Sequence, residues 1–162
     1  MQRTAIRLGG VLAGVALSVL SMPAANAAPG NDGTIKLDAI AFDDAPNNEP
    51  HVTCPFQLDF YGYDEGDLSA TVTFTIHPPS GRGEVLLTDE VFIGEDAAGG
   101  GTDLDASVTY DLTGLLDEYE AHPQQGYHVK VTVEAEGSVG ADTKHKVFWV
   151  TDCEEKDCPP KY

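Results

Sequence analysis

Seven stretches of this chain alternate apolar and polar residues with a period of two, and that alternation restricts the fold more than any other feature. A period of two places every second side chain on one face, the pattern of a half-buried β-strand rather than of an amphipathic helix. The stretches are Thr34 to Phe42, Phe56 to Tyr61, Leu68 to His77, Glu84 to Ile93, Leu104 to Leu112, Tyr127 to Ala135 and Thr143 to Thr151. In the third, Leu68, Ala70, Val72, Phe74 and Ile76 share one face, with Thr71, Thr73 and Thr75 opposite. In the sixth, Tyr127, Val129, Val131 and Val133 face inward and His128, Lys130, Thr132 and Glu134 outward. The last stretch is assigned Val147 and Trp149 on its inner face, which puts Phe148 and Val150 outside. Gly, Pro, Asp and Asn clusters separate the stretches, and only Thr113 to Glu120 suggests a turn or two of helix.

Seven short strands at this spacing predict an all-β fold: a seven-stranded antiparallel sandwich of the immunoglobulin or fibronectin-III kind, with a small antiparallel β-barrel as the alternative. Tyr127 sits where such sandwiches place a corner tyrosine.

Residues 1–27 read as an export signal rather than as part of the fold. Arg3 and Arg7 give a positive start, Leu8 to Met22 is an apolar core of 15 residues, and Ala25-Asn26-Ala27 is a small-x-small cleavage site. A 15-residue core is too short to span a bilayer comfortably. The organisation expected is therefore a signal at 1–27, an N-terminal segment at 28–33, the sandwich at 34–153 and a tail at 154–162. The mature chain is expected to be secreted or extracellular, with no membrane insertion after cleavage.

Charge bounds the partners. The chain carries 27 Asp and Glu against 9 Lys and Arg, a net charge of −18. Cleavage removes two arginines, leaving 7 cations and a mature charge of −20. A chain this acidic lacks the cations needed to displace counterions from a phosphate backbone, which excludes nucleic acid. It is equally unsuited to docking on anionic lipid.

If each strand reverses the last, alternate loops gather at the same end. Asp64, Glu65 and Asp67, then Glu95, Asp96 and Asp103, then Glu136 and Asp142 should share one end without a Lys or Arg among the loop residues. Ca²⁺, which takes six to eight oxygens, is the cofactor such a set would hold. The competing reading is a solvated acidic surface that keeps an exported domain soluble. No loop carries a sequential calcium motif, and otherwise no cofactor is expected.

Cys54 and Cys153 fall at the opposite end, where a bridge is geometrically allowed. A Cys153–Cys158 bridge, closing only a short loop, is the competing pairing, and either leaves one cysteine over. Catalytic signatures are missing: there is no Gly-x-Ser-x-Gly, His-Glu-x-x-His or Cys-x-x-Cys. The triple glycine Gly99-Gly100-Gly101 precedes no helix and reads as a loop rather than a phosphate cradle. The five histidines show no metal-ligand spacing within one element. The remaining candidate is a basic strip of Lys130, Lys144 and Lys146 with Phe148 beside it, read as a partner-binding face. In the competing structural reading, Lys144 pairs with Glu134 across a hairpin and the lysines protect a terminal strand.

Several segments resemble a family. Phe42-Asp43-Asp44-Ala45-Pro46-Asn47-Asn48-Glu49-Pro50-His51, Cys54, Asp59-Phe60-Tyr61-Gly62 and Asp64-Glu65-Gly66-Asp67 resemble secreted actinobacterial proteins of unknown function, as do Lys144-His145-Lys146-Val147-Phe148-Trp149-Val150 and Cys153. The resemblance spans about Gly33 to Cys153 and implies an Ig-like domain, work in the cell envelope or outside it, and a Cys54–Cys153 bridge. It also implies a Pro/Gly-rich stalk and a sortase anchor, neither of which Pro159-Pro160-Lys161-Tyr162 supplies. The sequence thus predicts a non-enzymatic surface module whose partner is an extracellular or cell-wall protein or glycan. Its alternative is a calcium-dependent binding domain.

Overall fold

The computed structural model describes residues 33–43, 47–95, 102–135 and 142–151. The export signal, the Gly99-Gly100-Gly101 loop, Asp96, Glu136, Cys153 and Cys158 lie outside the described residues.

Two separate sheets make the fold. One holds β1 (Thr34–Asp38), β3 (Phe56–Tyr61) and β6 (Leu104–Tyr110), in the order β1-β3-β6. The other runs β2-β8-β7-β4-β5, from β2 (His51–Val52), β8 (Thr143–Val150), β7 (Tyr127–Ala135), β4 (Ser69–Ile76) and β5 (Val85–Phe92). A single helical turn, α1 (Thr113–Leu116), follows β6. All seven alternating stretches contain strands, but among the described residues the strands number eight. The addition is β2, two residues that pair with Trp149 and Val150 in parallel and so make the second sheet mixed. Two residues are too short to show a period. The barrel alternative is overturned, because the strands form two sheets with ends of their own instead of one closed sheet.

Each sheet turns one face to the other. Ile35 and Leu37 of β1 and Phe56, Leu58 and Phe60 of β3 pack against Ala70, Val72, Phe74 and Ile76 of β4, Val129, Val131 and Val133 of β7, and Phe148 and Val150 of β8. Valine, threonine and aromatic residues suit such strands, because branched side chains fill a pleated, half-buried surface. The centre is aromatic. Phe56 meets Phe74 at 5.8 Å and Phe148 at 5.3 Å, while Tyr110 meets Phe74 at 4.7 Å, all with tilted or edge-on rings that suit the aromatic quadrupole. The Tyr110 hydroxyl reaches out between the sheets and donates to Asp89 Oδ2 at 3.0 Å.

The phase of β8 is the main correction. Phe148 is 1% exposed and Val150 0%, whereas Val147 is 47% exposed. Inner and outer faces are thus reversed from the sequence expectation. The run Val147-Phe148-Trp149-Val150 is apolar at every position, so alternation alone could not choose its phase. Register chooses it: Val129 pairs with Phe148 and Val131 with Lys146. A slip of one residue moves every side chain to the other face. By the same slip Glu134 lies opposite Thr143 and not Lys144, so the expected cross-strand ion pair is not formed by that register.

Candidate functional site

The loop-end arithmetic is largely realised. Gly62 N–H donates to Asp103 O at 2.9 Å and Gly66 N–H to Gly94 O at 3.1 Å, so the β3–β4 and β5–β6 loops lie side by side. Asp64, Glu65 and Asp67 therefore neighbour Glu95 and Asp103, while Asp142 closes the β7–β8 connection by accepting from Ala135 N–H at 3.1 Å. Glu65, Asp67, Glu95 and Asp142 are exposed. Among the described residues no three His, Cys, Asp or Glu side chains are grouped so as to hold a metal ion. Asp96 and Glu136 lie outside the described residues. The carboxylates that are buried have backbone and hydroxyl partners instead: Asp105 Oδ2 accepts from Tyr63 N–H at 2.9 Å, and Asp59 accepts from the Ser107 hydroxyl.

The proposed basic strip does not form one face. Lys130 lies on the outer side of the five-stranded sheet, together with His128 and Thr132. Lys144 and Lys146 are on the side of β8 that carries Phe148, and Phe148 is in the core. Burial, with the Lys36 charge nearby, pushes the Lys146 ammonium below its ordinary range. A partner-binding face using Phe148 is therefore corrected: its ring has no solvent to offer.

At the opposite end from the acidic loops, the outer face of the same sheet gathers histidines around Trp149, the chain's one tryptophan. His128 stacks on the indole with ring centroids 4.3 Å apart and planes 20° from parallel. His122 lies tilted against the same ring at 5.7 Å. His77 sets its edge on His128 at 5.1 Å. His51, the β2 residue opposite Trp149, shares a hydrogen bond between its Nε2 and Gln125 Oε1 at 3.1 Å. Four of the five histidines thus meet here from four separate segments.

Local structure fixes them. His128 Nδ1–H donates to Pro78 O at 2.6 Å, which fixes the orientation of the ring. His77 N–H donates to His128 O at 2.7 Å and His128 N–H to Ser80 Oγ at 2.9 Å, tying the β4–β5 turn to β7. His122 opens a turn closed by mutual backbone bonds with Gly126, and its Nδ1 accepts from Gln124 N–H at 3.3 Å. Burial, then the neighbouring His128 and Lys130, hold the His77 imidazole below its ordinary range. Pro79, Ser80, Glu120, Ala121, His122 and Pro123 line a shallow groove beside the cluster. Amide and carbonyl groups engage His51 Nε2, His122 Nδ1 and His128 Nδ1, which holds these rings in position to stack.

Sequence reasoning missed the stack at the centre of this cluster because it turned Trp149 inward. With β8 in its true phase, the outward His128 on β7 and the outward Trp149 on β8 are direct cross-strand neighbours, and the alternation would have shown it. No family model, curated protein or solved structure matches this chain.

Proposed function

We propose that this chain is an exported, non-enzymatic interaction module, an immunoglobulin- or fibronectin-III-type sandwich that meets its partner through the outer face around Trp149 and His128. Strand order supports the sandwich type. β3 neighbours β6 in one sheet and β4 neighbours β7 in the other, so the chain crosses between sheets as Greek-key sandwiches do. The first part of the domain divides likewise, β1 joining β3 and β2 joining β8.

Export is supported by the tripartite signal at residues 1–27, and the family resemblance agrees with work at or beyond the cell surface. A Cys54–Cys153 bridge belongs to the same reading. Thr151 N–H donates to Val52 O at 3.0 Å, so the chain leaving β8 runs beside the chain entering β3, two residues short of each cysteine. Mapping of unreduced peptides is expected to return Cys54 joined to Cys153. A Cys153–Cys158 peptide would remove the bridge from the proposal.

The observation that carries the contact surface is the half-exposed His128–Trp149 stack, a large aromatic body with polar edges on a sheet face that also bears Lys130, Thr132, His145 and the exposed Val147. Such groups give much contact area at low side-chain entropy and dominate binding where they occur. Labelled mature domain is expected to bind the surface of the producing cells, and Trp149→Ala to weaken that binding by about tenfold or more. Thr71→Ala, at the far end of the same face, should leave it unchanged. Equal binding by wild type and Trp149→Ala would refute the assignment.

A further inference from the structure

The larger sheet ends in β5, and among the described residues no strand lies beyond it. A strand with a neighbour on one side only leaves alternate backbone N–H and C=O groups facing outward, a template for a further strand. Ile93 N–H donates to Leu68 O at 2.9 Å, toward β4. Counting back along the ladder, the N–H groups of Val91, Asp89 and Leu87 point the same way, and those of Phe92, Glu90 and Thr88 point to the open side. Glu90 N–H agrees with this count, since it donates to Asp89 Oδ1 at 2.9 Å instead of to a strand. The ladder to β4 is regular from Leu87 to Phe92 and shifts only between Phe74 and Thr75, at the Val85 end.

Other edges are covered. Glu49 N–H donates to Leu37 O and Leu37 N–H to Asn48 Oδ1, which closes the side of β1. β2 lies along the end of β8, and Lys144 and Lys146 stand on the rest of that strand. β5 has neither Pro nor Lys, residues that keep an open edge from pairing. It holds instead the two most exposed large apolar side chains among the described residues, Val85 at 62% and Phe92 at 53%.

Charge selects the occupant. Asp89 and Glu90 lie in the strand, Glu84 and Glu95 flank it, and from Gly83 to Val129 the chain has no Lys or Arg. Arg82 sits beside Glu84 at the turn. Lys130 stands two strands away, about 10 Å at about 4.8 Å per strand, in the row of Val85, while the row of Glu90 leads through Thr71 to Glu134. A second copy adding edge to edge would set these carboxylates against their twins, and like charges across paired strands repel. A cationic strand gains where a copy loses. We propose that β5 is a docking edge for an extended segment of a partner protein in which Lys or Arg alternate with apolar residues. The segment joins the sheet as a further strand, bonded to the backbone of Thr88, Glu90 and Phe92, with Phe92 and Val85 meeting its apolar side chains. Its carbonyl takes over Glu90 N–H from Asp89 Oδ1, and the released oxygen and the Glu90 carboxylate receive the cations. β4 and β7 separate this edge from the strand of Trp149, so it is a second surface, independent of the first.

Titration of the protein with a capped peptide of about ten residues alternating Lys and Val, in salt at about 0.15 M, tests this. Binding is expected, and amide exchange at Thr88 and Phe92 should slow about tenfold or more in the complex, because both N–H groups enter a ladder. A peptide alternating Glu and Val should not bind. Thr88→Pro removes one outward donor and no bond to β4, a position where a strand tolerates proline. Its melting temperature should stay near that of the wild type while peptide binding falls about tenfold or more. Glu90→Lys leaves the backbone as it is and should weaken binding as much. Trp149→Ala should bind the Lys–Val peptide as the wild type does. The proposal is overturned if the wild type does not bind, if the bound peptide leaves the Thr88 and Phe92 amides exchanging as before, or if either edge variant, folded, binds like the wild type. Loss of binding in Trp149→Ala would move the peptide to the other surface and overturn it too. Sedimentation that finds wild-type pairs, undone by Thr88→Pro, would assign the edge to a second copy and overturn the cationic partner.

Discussion

Phe148→Ser should unfold the domain well before the wild type does, with an expected loss of about 3–5 kcal/mol, the range for truncating a buried phenylalanine. Phe148 is 1% exposed and its ring touches Phe56 at 5.3 Å and Phe74 at 6.4 Å, one contact into each sheet. Serine removes the ring from both and leaves a hydroxyl where the core offers mainly carbon, adding an unpaired polar group to the cavity. For a domain of this size the melting temperature should fall by about 10–20 °C. The paired control is Val147→Ser, one residue earlier and 47% exposed, for which a change within about 0.5 kcal/mol is expected. Thermal melts of the two variants decide the phase of β8. A larger loss from Val147→Ser than from Phe148→Ser would return the strand to the opposite phase and remove Trp149 from the surface.

That one strand shows how far the sequence could be read and where it stopped. In Ser69–Ile76, threonines alternate with Ala, Val, Phe and Ile, and the burial follows them residue by residue. In Tyr127–Ala135, Val129, Val131 and Val133 are fully buried between partly exposed neighbours, as the period requires. Binary alternation carries phase only while polar residues mark one face, and Val147 to Val150 has none. The error then spread into the functional reading, turning Phe148 into a surface residue and hiding the stack on Trp149.

Other features were beyond the sequence for different reasons. β2 is two residues whose strand character comes wholly from pairing with Trp149 and Val150. His51, His77, His122 and His128 lie on four segments that meet only when the sheet forms, so no spacing rule for a single element could link them. The gathering of Asp64, Glu65, Asp67, Glu95 and Asp103 did follow from strand reversal, because loop position needs only direction and not phase. Burial of Asp105 did not, since its partner is a backbone N–H, that of Tyr63, which no side-chain pattern announces.

Two glycine substitutions should change stability in opposite directions, and the larger of them acts on the candidate site. Gly126 has φ +80°, a left-handed conformation that costs a side-chain-bearing residue about 1–2 kcal/mol. A Cβ there would lie 2.1 Å from Val150 O and 2.8 Å from Thr151 Cα. Both are backbone atoms of the strand end that carries Trp149, so no rotamer can make room. Gly126→Ala must therefore push the 122–126 turn away from β8, and the expected loss, strain and displacement together, is about 3 kcal/mol or more. The same displacement separates His122 from Trp149, which sit 5.7 Å apart, so the emission of the single tryptophan should change in the folded variant. Gly114 sits in α1 with nothing within 4 Å of its missing Cβ. Gly114→Ala only stiffens the unfolded chain and raises helix propensity, and it should stabilise by about 0.5–1 kcal/mol. Denaturant midpoints of the two variants, with tryptophan emission recorded on the same samples, test both expectations. Equal midpoints would mean that the 122–126 turn is not seated on β8, and the tie between this turn and Trp149 would fall with it.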